Sequence, residues 1–489
     1  MSAIGSILTN TGALSALNSI AATSQTNNSL QSQLASGMSI NSPADNPAGY
    51  ITAQGFTSQL NGLTQATSNA NQGVSLLQTA QSAIGQQIGI VQQLNSIAVQ
   101  AANGTQTAAE SQSLQTLVGQ LTSQVTTISS QTQFNNINLL DGTFSGVQFQ
   151  VGANEGQTLN LSIGNTSASN IGMYATAAGT AFAGAGTSTF GGTSSAAVNG
   201  SATGAFGAGP VKISGPTGGS GSFAITKTES AANIAAAANN IAGKTGVQAQ
   251  ASNAYTYSTT FGSKGLQFTI QAGSAGSGTK TIGNKIAVNA SSLSGVVSQI
   301  NQQTSTSGIV ASSASGKLNL KQLNGQNIVF TAVGTTATAS GSLKTTTGTP
   351  AAIVAKDMQQ GQVQFQSSAA FSVSGSAKLS GTTSLTSLAS INVGTTSGAN
   401  NAINVIKYAL AGLNNQGGQL GAVQQRLTAN INNLNTTATN VTTALSVVQD
   451  ANIPQVANKL TQATIQAQSG VAALKNSTQL QQSYLSLLP

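Results

Sequence analysis

The apolar positions of this chain follow one rhythm at both ends and another in the middle. Near the start, Ile4, Ile7, Leu8, Leu14, Leu17, Ile20 and Ala21 recur at three- and four-residue steps, and Leu30 and Leu34 continue the stripe. That spacing predicts a helix with one apolar side. The stretch SGMSINSPADNPAG then interrupts it with Ser42-Pro43 and Asn46-Pro47, because a residue ahead of proline is pushed out of the helical region. A second helix is predicted over 51–102 on Leu60, Leu63, Val74, Leu77, Ile84, Ile88, Val91 and Leu94. A third is predicted over 108–130 on Leu114, Leu117, Leu121, Val125 and Ile128. The helical rhythm returns at 399 with Ile403, Ile406, Leu410, Leu413, Leu420, Val423, Leu427, Ile431 and Leu434. After Pro454 it resumes on Val456, Leu460, Ala463, Ala467, Val471 and Leu474.

Between the two helical ends the period falls to two. VQFQVG and LNLSIG, within 134–163, alternate around Asn154-Glu155-Gly156 and predict a hairpin of half-buried strands. Residues from about 173 to 398 are rich in Gly, Ser and Thr, with strand-like runs PVKISG, GLQFTIQ, KLNLKQL and NIVFTAV. Two parts of this zone look alike. Residues 229–270 and 290–331 each read as a helix, then Gly-Val or Gly-Ile, then two strands, which predicts a duplicated helix-plus-hairpin unit.

A Ser/Thr/Gln-rich helix with a narrow Leu/Ile/Ala stripe does not hold itself together in water and needs partner helices. The economical arrangement pairs the N-terminal helices with the C-terminal ones, like a coiled coil. The predicted fold class is therefore multidomain: an all-α, coiled-coil-like core from both ends with a β-hairpin segment, plus a β-rich α+β outer insertion. An ordinary intramolecular bundle would satisfy the same pattern. Stripes this weak at both extreme ends favour completion by neighbouring copies.

Composition narrows the chemistry. Only 4% of the 489 residues are charged, against roughly 25% in an average globular protein. There is no cysteine, histidine or tryptophan, which excludes disulfides, the usual zinc sites and every histidine-based triad. The run AGKTG at 242–246 suggests a phosphate loop, yet Ala238 stands where the first glycine belongs. The seven acids are scattered, so no carboxylate pair for acid–base work is indicated; neither an enzyme nor a cofactor is expected. No segment reaches the roughly 18–20 apolar residues of a membrane span, and the N-terminal sequence has no basic start or unbroken apolar block. Export by a route that cuts no such signal is the expectation, with no membrane insertion.

The net charge of +8 is segregated. Residues 1–211 carry four acids and no base, residues 212–398 carry eleven lysines and two acids, and residues 399–489 carry four bases and Asp450. The lysines are singly spaced without aromatic interleaving, so a solvated outer surface is expected rather than nucleic-acid binding.

The residues at both ends also resemble a known family. LASGMSINSPADNPAGYITA (34–53), GLTQATSNANQGVSLLQTAQSAIGQ (62–86) and SSQTQFNNINLLDG (129–142) are similar to the N-terminal part of bacterial flagellins. LGAVQQRL (420–427), NINNL, VVQDANI (447–453) and the closing YLSLLP resemble the C-terminal part. The resemblance covers about 1–172 and 399–489, and the motifs stand in order at both ends. It implies a structural subunit that is exported unfolded, held by an export chaperone, added beneath a filament cap and polymerised with its copies into the extracellular flagellar filament that drives swimming. Hook-junction proteins would be further partners.

On that resemblance the domains are 1–45 and 455–489, an inner coiled coil; 46–172 and 399–454, an outer helical tube; and 173–398, a variable, solvent-exposed outer region. Ile4, Ile7, Leu8, Leu14, Leu17, Val456, Leu460, Leu474, Leu485 and Leu488 would form the inner core of the assembly. Leu76, Leu77, Ile84, Leu94, Leu420, Val423 and Leu427 would hold the outer tube. The chain departs from the family in its charges. Gln93 and Asn95 replace arginines, Ser96 and Leu117 replace glutamates, and Ser39 and Ala44 lie where basic residues are usual. Several of these belong to the surface read by the vertebrate Toll-like receptor for flagellin, so weak recognition is expected. Few carboxylates also imply assembly that is insensitive to acid. A hook–filament junction protein, which shares such terminal helices, is the alternative function, and a secreted adhesin a more distant one.

Overall fold

A computed structural model describes residues 10–176, 208–216, 218–226, 229–261, 265–273, 284–332, 342–345, 357–359, 361–375 and 383–485. Helices α1 (Thr11–Ser36), α2 (Pro47–Ala101) and α3 (Ala108–Gln131) come first. Short strands β1 (Gln133–Phe134) and β2 (Ile137–Asn138) follow, then β3 (Val147–Gln150), β4 (Thr158–Leu161) and β5 (Gly172–Thr176). Next come β6 (Gly209–Ser214), β7 (Ser220–Ile225), α4 (Ala231–Asn240), α5 (Ala242–Thr245), β8 (Gln248–Thr260), β9 (Leu266–Gly273) and β10 (Ile286–Ala290). After α6 (Leu293–Asn301) and α7 (Thr304–Ser307) lie β11 (Ile309–Ala314), β12 (Lys317–Gln322), β13 (Asn327–Ala332) and β14 (Ser342–Thr345). The last strands are β15 (Asp357–Gln359), β16 (Gln362–Ser367), β17 (Ser372–Gly375) and β18 (Thr383–Ser387), and the chain closes with α8 (Thr396–Gln449) and α9 (Ile453–Leu485).

The chain divides into two compact units. One comprises Met1–Gln78, Gly146–Ser162 and Leu420–Pro489. In it α1 and α9 run antiparallel, as their pairings show. Asn10 Nδ2 donates to the Ser477 carbonyl (3.2 Å) and to Gln481 Oε1 (2.8 Å), while Leu30 packs with Val456 and Ala463. Small residues bring the helices close: a Cβ added to Gly470 would lie 2.9 Å from Ile20 Cγ1. Gly37 ends α1 in the left-handed conformation (φ 74°), its N–H bonded to the Gln33 carbonyl. Elsewhere in this unit Leu63, Ala66, Leu434 and Val441 form a small core between α2 and α8, flanked by Phe56, Leu60 and Ala153. Gly73 allows α2 to pass α8 and the β3–β4 hairpin, since a Cβ there would stand 3.2 Å from Leu427 Cδ1 and 3.6 Å from Phe149 Cδ1.

The other unit comprises Thr79–Ser145 and Ile163–Gln419. A capping box starts α3: Thr107 Oγ1 accepts the Glu110 N–H, and Glu110 Oε2 accepts the Thr107 N–H. Asn135 and Asn136 have φ of 50° and 63°, values that suit the tight turn joining β1 to β2. Strands here are antiparallel in every pairing described. The largest sheet has the order β11-β12-β8-β16-β5-β18, with β14 also on β8; a second has the order β10-β9-β13-β15 and a third β17-β6-β7.

The two look-alike segments share their local geometry at a constant offset of 62 residues. Ser230 and Ser292 cap α4 and α6. Asn239 donates to the Ala249 carbonyl and accepts the Ala249 N–H; Asn301 makes the same pair with Ala311. Gly246 and Gly308 end the following short helices at φ 66° and 67°. Each long helix covers its own core: α4 with Val211, Ile213, Phe365 and Val373, and α6 with Phe268, Ile270, Ile286, Leu318 and Phe330. The strands after them differ. β11 and β12 form a hairpin, whereas β8 and β9 do not pair with one another. The first half of β8 pairs with β16 and its second half with β12, while β9 lies between β10 and β13. AGKTG follows a helix rather than a strand and forms α5, with none of the geometry of a phosphate loop.

The clamp predicts an effect on stability. Asn301→Ala leaves the N–H and carbonyl of Ala311, a residue only 3% exposed, without their partner. A loss of about 1–3 kcal/mol per stranded buried group is expected, read as a lower denaturation midpoint for the outer sheets with the helical signal retained.

Candidate functional site

With few charges, these helices turn many of their hydroxyls back onto their own backbone. Thr23, Thr57, Thr67, Thr122, Thr442 and Thr461 each donate to the carbonyl four residues back, as do many neighbours. Helices α1 and α2 carry no charged residue at all, so what they leave uncovered is decided by their apolar residues.

In α1 the face toward α9 is made of Ala13, Ala16, Ile20, Thr23, Asn27 and Leu30, all buried or half-buried. Leu14 and Leu17 lie on another face and are 61% and 50% exposed. In α9, Val456 and Ala463 are buried and Leu460 and Leu474 half-buried against α1. Ile465, Val471 and Leu480 are more than half exposed. The expected inner-core residues thus separate. Val456, Leu460 and Leu474 face the intrachain partner, and Leu14 and Leu17 do not. Ile4, Ile7, Leu8 and Leu488, and the side chain of Leu485, lie outside the described residues.

The residues expected in the outer tube are buried within the chain. Leu76, Leu77, Ile84, Leu94, Leu420 and Leu427 are each under 5% exposed, and Val423 is half-buried. Gln93, Asn95 and Ser96 on α2 are exposed, and Leu117 on α3 is 41% exposed. Sequence reasoning did not assign Ile51 (74% exposed) or Val447 (81%) to a surface, and no periodicity singles them out.

Among the described residues of the terminal regions, the carboxylates of Asp45, Glu110, Asp141 and Asp450 bond locally. Asp45 Oδ2 accepts the N–H groups of Asn41 and Ser42, which hold it below the usual carboxylate range, Ser42 most strongly. Glu110 is held down in the same way by the Thr107 backbone, and Asp141 by the Thr143 hydroxyl and then its N–H. Asp450 accepts from Ser446 at the end of α8. Bonds between elements use amides instead. Gln87, fully buried, donates to the carbonyls of Val125 and Thr166, and Gln115 bonds the Ile391 carbonyl and the Val393 N–H. Tyr408, its hydroxyl pushed up to about 12 by burial, donates to Gln248 Oε1, as Lys407 does.

Among the described residues an open cavity lies in each unit. The first, about 360 Å³, is lined by Asn239, Gln248, Gln250, Gln366, Lys407 and Tyr408. The second, about 510 Å³, lies between the β3–β4 hairpin and Arg426, Leu427 and Asn430 of α8. Neither brings together a nucleophile and a base. Among the described residues no helix is long and apolar enough to cross a membrane.

Comparison with known proteins finds relatives that match both ends of the chain. The bacterial flagellin N-terminal helical region matches residues 7–145, and the bacterial flagellin C-terminal helical region matches 403–488. The B-type flagellin of Pseudomonas aeruginosa is 32% identical, over 98% of this chain and 99% of its own. Flagellin A of Helicobacter pylori is 26% identical, over 97% and 98%. Among solved structures, FliC from Burkholderia pseudomallei is 22% identical and covers 72% of this chain and 99% of its own, at a TM-score of 0.29.

Proposed function

The chain belongs to the bacterial flagellin family and is an extracellular filament subunit, and from that premise we propose that its polymer is built by α1 and α9 outside and by α2 and α8 inside each copy. One observation carries this reading. The α1–α9 pair buries Leu30, Val456 and Ala463 but leaves Leu14, Leu17, Ile465, Val471 and Leu480 open on more than one side. A two-helix arm with so small a core gains its remaining stability from neighbours, and apolar side chains on several sides call for more than one. Leu76, Leu77, Ile84, Leu94, Leu420, Val423 and Leu427 then act as the rigid base of the contacts rather than as the contacts themselves. No catalytic role is assigned. Purified protein polymerised by salt and imaged by electron microscopy tests the reading: a filament with a central channel supports it, and amorphous aggregate or monomer refutes it.

Within this reading the export chaperone, the cap and the junction proteins meet the chain through the same terminal helices, and the outer region faces solvent. The family's usual charges are missing from an exposed surface at Gln93, Asn95, Ser96 and Leu117. A receptor that pairs with arginine and glutamate there finds amides, a hydroxyl and a leucine, and loses charge-assisted bonds worth about 1.5–3 kcal/mol each. Activation of the vertebrate Toll-like receptor for flagellin is expected to be weaker by at least tenfold than with an enterobacterial flagellin, read in a reporter cell line. Equal potency would refute the expectation.

A further inference from the structure

We propose that copies of this chain recognise one another through interfaces free of carboxylates, so that the polymer holds together in acid that titrates every Asp and Glu. The inference rests on the filament reading and adds the chemistry of the contact and the conditions under which it survives.

A bound on the interface follows without knowing its geometry. Outside the middle zone the chain has five acids: Asp45, Glu110, Asp141, Glu155 and Asp450. Four are occupied at home. Asp45 closes the turn before α2 with Asn41 and Ser42, Glu110 caps α3 with Thr107, Asp141 holds Asn138 and Thr143, and Asp450 accepts from Ser446. These four are satisfied without a cation, whereas Glu155, exposed at the β3–β4 turn, accepts no such bond among the described residues and is the first candidate to meet a neighbour's cation. Of the bases in the same regions, Lys407 is bonded to Gln248, and Arg426, Lys459 and Lys475 are exposed. Among the described residues none of these four bases forms an ion pair with any of the five acids. Bonds that join one element to another run through Asn, Gln, Ser and Thr, none of which titrates in acid.

The sign of the remaining pH dependence follows from the caps. Asp45, Glu110 and Asp141 have carboxyls held below their usual range by local N–H and O–H donors. Their stabilising bonds are complete above the range of an unfolded carboxylate and fade only as pH falls through the lowered values. The groups facing them are neutral: Ser42 and Asn41 at Asp45, Thr107 at Glu110, and Thr143 and Asn138 at Asp141. Protonating the five acids takes these terminal regions, the 263 residues of 1–172 and 399–489, from a net −1 to +4, and protonating all seven takes the whole chain from +8 to +15. Acid therefore weakens the local bonds of Asp45, Glu110, Asp141 and Asp450 in each copy and leaves the contacts between copies in place.

The test uses filaments of the full chain formed at pH 7, moved to buffers between pH 7 and pH 2.5 and sedimented, with far-UV circular dichroism on the same samples. The expected result is a pelleted fraction that changes by less than about twofold across the range, identical for Glu155→Gln. Dissociation with a midpoint between pH 3 and pH 5, the carboxylate range, overturns the proposal, and a midpoint abolished by Glu155→Gln would name the ion pair responsible. Failure to form any filament at pH 7 would strike the filament reading instead, which keeps the two distinguishable.

Discussion

Removing residues 456–489 is expected to abolish polymerisation while leaving most of the chain folded. The cut deletes nearly all of α9, and with it Val456, Leu460, Ala463 and Leu474, the surface on which α1 lies. A lone 26-residue α1 with a stripe of Ala, Ile and Leu is marginal in water and should fray. The rest is independent of it. The core of Leu63, Ala66, Leu434 and Val441 lies between α2 and α8, and the outer sheets enclose their own cores. Circular dichroism should therefore show a loss close to the content of α1 and α9, with a cooperative melt for the remainder. Sedimentation in salt should show no pellet at concentrations where the full chain assembles. A truncated protein that still forms filaments would show that the terminal arm is dispensable. An adhesin, whose terminus has no part in self-association, would behave that way.

The helices could be read because their apolar period is long and uninterrupted. The predicted 51–102 and 108–130 correspond to Pro47–Ala101 and Ala108–Gln131, and the breaks at Pro43 and Pro47 separate α1 from α2. Strand positions such as KLNLKQ and NIVFTA could be read for the same reason. What could not be read was partnership. The first repeat predicts a hairpin, but β8 pairs across the sheet with β16 and β12, because alternation gives a strand its faces and says nothing about its neighbours. The Asn239 and Asn301 clamps were invisible too, since an amide's role depends on which backbone group folding brings to it. Nor could the open face of α1 be told from the buried one. With Ser, Thr and Asn tolerated on either side, Ala13, Ala16 and Ile20 pack inward while Leu14 and Leu17, one position on, remain uncovered.

That one-position shift carries the second large effect. Replacing Leu14 and Leu17 together by serine in the full chain should leave the monomer intact and raise the critical concentration for assembly steeply. Both side chains are at least half exposed, so the isolated fold loses little by the change. If a neighbouring copy buries the half of each side chain still open, each contributes about 0.8–1.7 kcal/mol to association. Two of them are then worth roughly 1.6–3.4 kcal/mol, which at about 1.4 kcal/mol per tenfold corresponds to a critical concentration raised by roughly fifteen- to two-hundred-and-fifty-fold. Leu77→Ala supplies the contrast. Leu77 is fully buried within the chain, and its truncation should lower monomer stability by about 2–5 kcal/mol. The two variants thus separate what holds a copy together from what holds copies to each other. Denaturation curves report the first and sedimentation at graded concentration the second. An L14S/L17S protein that assembles like the parent would place these leucines in solvent in the filament and remove α1's exposed face from the assembly surface.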